Sequence, residues 1–135
     1  MTIKAHHVGL TVTDLARSAA WYREAFGFEQ QLDFELPGGA RGAMLRSPGG
    51  ARVELFEVSG GNPGMSWADP PTAMLTAGFG HVAFECSDLE ADFTRATDAG
   101  AAEVWGPRQS PEPGRRMAFV HDPDGNLIEL IGPLE

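Results

Sequence analysis

HVGLTVTDL at residues 7–15 lies over HVAFECSDL at residues 81–89, an offset of 74, with His, Val, Asp and Leu at matching places. Farther along, GARGAMLRSPGGARVELF at residues 39–56 lies over GRRMAFVHDPDGNLIELI at residues 114–131, an offset of 75. Arg41 and Arg116, Ala43 and Ala118, Glu54 and Glu129, and Leu55 and Leu130 coincide. The match resumes after an unmatched gap with its offset changed by a single insertion. That is the mark of a duplicated module, and it decides the fold before any single element is assigned.

Each copy opens with an alternating run that reads as a strand. Val8, Leu10 and Val12 face one way and His7, Gly9 and Thr11 the other; Val82, Phe84 and Cys86 oppose His81, Ala83 and Glu85. A helix follows in both. Asp14 is an N-cap before LARSAAWYREAF and Gly27 a stop; in the second copy Ser87 and Glu90 fit a capping box and Gly100 ends the helix. Three short strands complete each copy, at residues 29–36, 41–46 and 52–58, then 102–106, 115–121 and 126–131, with SPGG and DPDG joining the last two. The expected fold is therefore α+β. Two tandem β-α-β-β-β modules, about residues 3–58 and 79–132, form a cupped, incomplete eight-stranded mixed-sheet barrel with helices outside, within a single domain. Between them, residues 59–78 form a Gly/Pro-rich linker whose Met65, Trp67, Met74 and Leu75 are expected to pack on something.

A length of 135 residues is one ordinary domain, and 42% hydrophobic with 21% charged residues is the balance of a packed protein. Seventeen Gly and ten Pro call for many turns. Ten Lys plus Arg against nineteen Asp plus Glu give a net charge of −9, which argues against nucleic acid and against an anionic membrane face as partners. The lone Cys86 forms no internal disulfide, and MTIKAHH has no signal-peptide apolar core, so a cytoplasmic location is expected.

The chemistry-bearing residues follow the repeat. His7 and His81 hold equivalent places on the first strands, and Glu54 and Glu129 on the last, all opposite the apolar face that the helices cover. Two imidazoles and two carboxylates projecting into one concavity make a divalent-cation site, because imidazole suits first-row metals and carboxylate neutralises charge. Glu85 shares the face of His81 and is within reach of a ligand imidazole. His6 points away from His7 as an ordinary strand-end residue, His121 before the DPDG turn reads as a surface residue, and Cys86 as a small buried hydrophobe. Trp21 and Tyr22 read as helix packing. Arg52 shares the strand face of Glu54; Trp67 in the linker, Trp105 near a strand end, and Arg116 beside a rim loop at residues 107–116 are the other candidates for substrate contact.

HHVGLTVTDLARSAAWYREAFGF, RVELFE, GHVAFECSDLEA and FVHDPDGNLIELI together resemble, in order, the recurring segments of the vicinal oxygen chelate superfamily, which includes glyoxalase I, methylmalonyl-CoA epimerase, extradiol dioxygenases, fosfomycin-resistance transferases and bleomycin-binding proteins. The resemblance covers nearly the whole chain. It implies one divalent metal ion (Ni, Zn, Co, Mn or Fe(II)) on His7, Glu54, His81 and Glu129, with Glu129 or Glu54 as the catalytic base. The implied function is a metal-dependent lyase or isomerase of the glyoxalase I or epimerase type, which chelates vicinal oxygens of a small molecule and stabilises an enediolate or enolate. It also implies a homodimer. The alternatives are an extradiol-type dioxygenase, in which Glu54 would have to leave the metal, and a non-catalytic antibiotic-binding protein, in which four retained ligands would have no purpose.

Overall fold

The structure, a computed structural model, describes residues 1–62 and 64–133, so Pro63 of the predicted linker lies outside the described residues. The chain folds as two compact units, one from residues 1–23 and 27–62, the other from residues 24–26 and 64–133. Each carries a four-stranded sheet with the same strand order, as the repeat requires.

In the first unit the elements are β1 (Val8–Thr11), α1 (Leu15–Phe26), β2 (Glu29–Glu35), β3 (Arg41–Arg46) and β4 (Arg52–Glu57), with sheet order β1-β4-β3-β2. β1 runs parallel to β4, and β2, β3 and β4 are antiparallel neighbours. The helix begins where expected: Asp14 is extended, and its side chain accepts from the Arg17 backbone N–H. Gly27 closes it at φ 74°, a left-handed position that a β-carbon would strain. A second carboxylate at this terminus went unforeseen. Glu57 at the end of β4 accepts from the Leu15 N–H at 2.6 Å through one oxygen, and from Arg41 at 3.2 Å through the other. Tyr22 and Phe28 are fully buried and meet edge to face at 5.8 Å, so the α1 aromatics are packing residues as their spacing indicated. Gly42 pairs with Phe34 across β2 and β3, and the Phe34 ring occupies the space a β-carbon at Gly42 would need.

The second unit contains α2 (Pro70–Ala73), β5 (His81–Glu85), α3 (Leu89–Asp98), β6 (Ala102–Gln109), β7 (Arg116–His121) and β8 (Leu127–Ile131), in sheet order β5-β8-β7-β6. Leu89, Ala118 and Leu130 form a core cluster with Phe84, Cys86 and Phe93 packed on it, on the helix side of the sheet. Cys86 is accordingly a packing thiol. Burial, with Asp92 second, pushes its pKa up to about 11. A rise from the ordinary 9.0 to about 11 lowers the thiolate fraction at neutral pH about a hundredfold. Iodoacetamide should therefore label the folded protein slowly at pH 7–8 and much faster in urea; equal rates in the two states would refute this burial.

Three expectations need correction in this unit. The α3 cap is Asp88, which accepts from the Ala91 N–H, while Asp92 accepts from the Asp88 N–H; Ser87 lies one residue too early to cap this helix. β6 runs to Gln109, so the rim loop shrinks to residues 110–115, tied by Ser110 N–H to the Arg115 carbonyl and by Glu112 N–H to the Ser110 hydroxyl. Finally, Trp67 packs on the cluster of Ala73, Phe119 and Leu127, but Met65, Met74 and Leu75 are exposed rather than packed. No helix among the described residues is long and apolar enough to cross a membrane.

Candidate metal centre

In the first unit, parallel pairing of β1 with β4 sets Gly9 beside Glu54. His7 stands just before β1, and its ring reaches the Glu54 carboxylate. His7 Nε2 stands 3.3 Å from Glu54 Oε1, with 31% and 20% of the two side chains exposed. In the second unit β5 and β8 pair in the same way, with the small Ala83 beside Glu129. His81 Nε2 and Glu129 Oε2 are 2.9 Å apart. The repeat is thus preserved at the level of donor atoms.

Two ligands about 2.1 Å from one cation and at right angles stand about 3.0 Å apart, so each pair has the spacing of adjacent ligands. The donors are an imidazole nitrogen and a carboxylate oxygen, partly sheltered. The residues fit a divalent cation. Among the described residues no group of three or more His, Cys, Asp or Glu is gathered, so each unit taken by itself supplies a pair.

The electrostatics single out Glu129, whose side chain is only 12% exposed. Burial pushes its carboxyl above the ordinary value; His81 pulls it down without cancelling the rise, and Glu112 adds to it. Beside the pair stands an aromatic wall. The Phe119 ring meets His81 edge on at 5.2 Å, Trp105 meets Phe119 at 5.6 Å, and the Arg108 guanidinium lies over Trp105 at 4.7 Å.

Other predicted site residues are placed differently. Arg116 pairs with Glu90 of α3 and alternates with Ala118 on the helix side, so it faces away from His81 and Glu129. Its neighbour Arg115 holds the opposite side, donating to Glu85 at 2.8 Å and to the Gly132 carbonyl at 3.1 Å. The Glu85 hydrogen bond raises the Arg115 pKa and occupies the carboxylate that the sequence offered to an imidazole. His121 is no surface residue, since its Nε2 lies 2.7 Å from the Trp67 carbonyl and ties the linker to β7. Trp67 is accordingly seated in packing rather than presented as a free substrate contact.

Arg52 and His6 gave the largest surprise. Arg52 Nη1 lies 2.7 Å from His6 Nε2, and His6 Nδ1 lies 2.7 Å from His7 Nδ1. The expectation that His6 turns away from His7 assumed strand alternation through both residues, but β1 starts only at Val8. Outside the pleat the two rings meet edge to face at 5.0 Å. The doublet HH was the one sequence signal available for this contact.

A family model described as Glyoxalase/Bleomycin resistance protein/Dioxygenase superfamily matches residues 4–130, and the chain belongs to that superfamily. It is similar to an ethylmalonyl-CoA/methylmalonyl-CoA epimerase of Cereibacter sphaeroides, 30% identical over 135 residues, with 94% of this chain and 96% of that protein covered. Among solved structures, a glyoxylase/bleomycin resistance protein/dioxygenase domain from Frankia sp. EAN1pec matches with a TM-score of 0.77 at 25% identity, covering 97% of this chain and 98% of that one. Glyoxalase I from Zea mays matches with a TM-score of 0.74 at 25% identity, covering 96% of this chain and 46% of that one.

Proposed function

We propose that the protein is a divalent-metal-dependent isomerase or lyase that removes a proton next to a carbonyl, with His7, Glu54, His81 and Glu129 as ligands and Glu129 as the base. The observation that carries this reading is the duplicated His/Glu pair at 3.3 and 2.9 Å. A divalent cation bound there supplies Lewis-acid polarisation of neighbouring substrate oxygens and charge stabilisation as the proton leaves. The protein supplies the rest. Glu129 is held against His81 in a partly desolvated setting that raises its proton affinity, which brings a carboxylate closer to the basicity that α-proton removal needs. Proton return from the same carboxylate, or from the opposite side of the substrate, completes an isomerisation. Phe119 and Trp105 offer an apolar wall beside His81, and Arg108 over Trp105 fits an anionic end of the substrate.

Full-length similarity to an acyl-CoA epimerase supports branched acyl thioesters as the first substrates to test, ahead of hemithioacetals. The working form is a homodimer in the cytoplasm, with Ni, Zn, Co, Mn or Fe(II) as the resident metal.

Purified protein should contain or bind one such ion per site and should exchange the α-hydrogen of methylmalonyl-CoA or of a methylglyoxal hemithioacetal for deuterium without consuming O₂. Absence of first-row metal together with no affinity on titration defeats the proposal. O₂ uptake with a catechol replaces it with a dioxygenase.

A further inference from the structure

Arg52, His6, His7 and Glu54 form an unbroken line of contacts in the first unit, at 2.7, 2.7 and 3.3 Å. The direction of its hydrogen bonds follows from the two ends. A guanidinium only donates, so His6 Nε2 accepts from Arg52, and the neutral His6 ring carries its proton on Nδ1. That Nδ1–H has His7 Nδ1 as its partner, which therefore accepts. His7 is left with its proton on Nε2, the nitrogen facing the acceptor-only carboxylate of Glu54. Every bond runs one way, from the cation at Arg52 to the anion at Glu54, and both rings remain neutral.

This order conflicts with ligation. A cation at His7 Nε2 takes the position of that proton, which in a neutral ring then sits on Nδ1 and must be donated. His6 Nδ1 becomes the acceptor and the His6 proton shifts to Nε2, where it meets another donor, Arg52. Neither ring changes its number of protons, yet two donors now face each other and that contact cannot persist. Arg52 has no second anchor to hold it in place at its Nε, which is buried without a hydrogen-bond partner among the described residues.

We propose that Arg52 and His6 are positioning residues that fix the tautomer of His7 in the metal-free protein, and that loading a cation on His7 Nε2 reverses the relay and breaks the Arg52–His6 hydrogen bond. The second half rests on the ligand reading above; the first half does not. Metal occupancy thereby frees the Arg52 guanidinium, so the arginine becomes available to an anionic group only once the site is loaded.

Long-range ¹H–¹⁵N spectra of the metal-free full chain read the tautomers directly. His6 should be protonated on Nδ1 and His7 on Nε2; a His6 protonated on Nε2 in this state overturns the relay with no variant needed. In Arg52→Met, which cannot donate, His6 should lose its Nδ1-protonated preference, whereas persistence of that preference overturns the role of Arg52. Zn(II) titration should then move the His6 proton to Nε2 as His7 Nε2 becomes ligated. Ligation at His7 with His6 unchanged overturns the reversal. No response of His7 to Zn(II) removes the ligand assignment and the reversal together, while the metal-free spectrum still decides the relay. Because loading no longer has to break a charge-assisted hydrogen bond, Arg52→Met should bind Zn(II) about tenfold more tightly than the native chain. A merely structural Arg52 predicts the opposite change, and weaker binding refutes the proposal.

Discussion

If Glu129 is the proposed base, Glu129→Gln should lower α-proton exchange by about 10²- to 10⁴-fold, the span that a positioned general base contributes. Gln keeps the shape of the side chain and an oxygen for His81 to donate to, but it cannot take up a proton. Glu54→Gln gives a different result. That change should weaken cation binding through the first pair, with activity recovering when the ion is added to saturation; with Glu129→Gln it should not recover. Stability moves the other way. Burial raises the Glu129 pKa, so the folded state holds its proton more tightly than the unfolded state does, and ionisation at neutral pH works against folding. The metal-free Gln variant should therefore match or exceed the native urea midpoint at pH 7. That advantage should vanish below the ordinary carboxylate pKa, where both states are protonated. Equal recovery of both variants at saturating cation would move the base away from Glu129.

How far this could be read in advance depends on whether a residue's environment is local. The module order and the placing of His7, Glu54, His81 and Glu129 opposite the apolar strand faces follow from alternation and the repeat, because a strand's period of two fixes which side chains share a face; the parallel pairing of each first strand with its last, which brings each imidazole to its carboxylate, had no such local signal. The N-cap at Asp14 was equally legible, since a cap is a matter of adjacent residues. Contacts between distant segments were not. Glu57 on the α1 terminus, His121 on the Trp67 carbonyl and Arg115 on Glu85 each join groups whose separation in sequence carries no pattern. His6 failed for another reason: the alternation rule was extended one residue beyond where the strand begins. Arg116 shows the reverse case, since its pairing with Glu90 follows from the same alternation that puts Ala118 under α3. Strict parity would have moved the substrate-side candidate to Arg115.

Leu55→Ala and Leu130→Ala each destabilise the metal-free protein by about 2–5 kcal/mol. The two leucines occupy equivalent places in the repeat, one residue after each site carboxylate, and so point to the opposite side of their sheets. Leu55 is fully buried and Leu130 nearly so, with Leu130 packed against Leu89 and Ala118. Truncation removes apolar area and leaves a cavity that the hydrogen-bonded strand can relax into only in part. A chain of this size has a total stability of about 5–15 kcal/mol, so either change takes a large share of it. Urea unfolding with an unchanged slope and a lowered midpoint is the expected reading. Leu75→Ala provides the comparison: that leucine is 85% exposed and should shift stability by no more than about 0.5 kcal/mol. Losses below about 1 kcal/mol at Leu55 and Leu130 would mean that the helix faces are not the cores that hold the His/Glu pairs in register. The link to function is direct, because β4 and β8 carry a site carboxylate and a core leucine on adjacent residues. A strand that rotates to fill the cavity turns the carboxylate away from its imidazole. In both variants cation affinity should therefore fall along with stability, even though neither leucine touches the site.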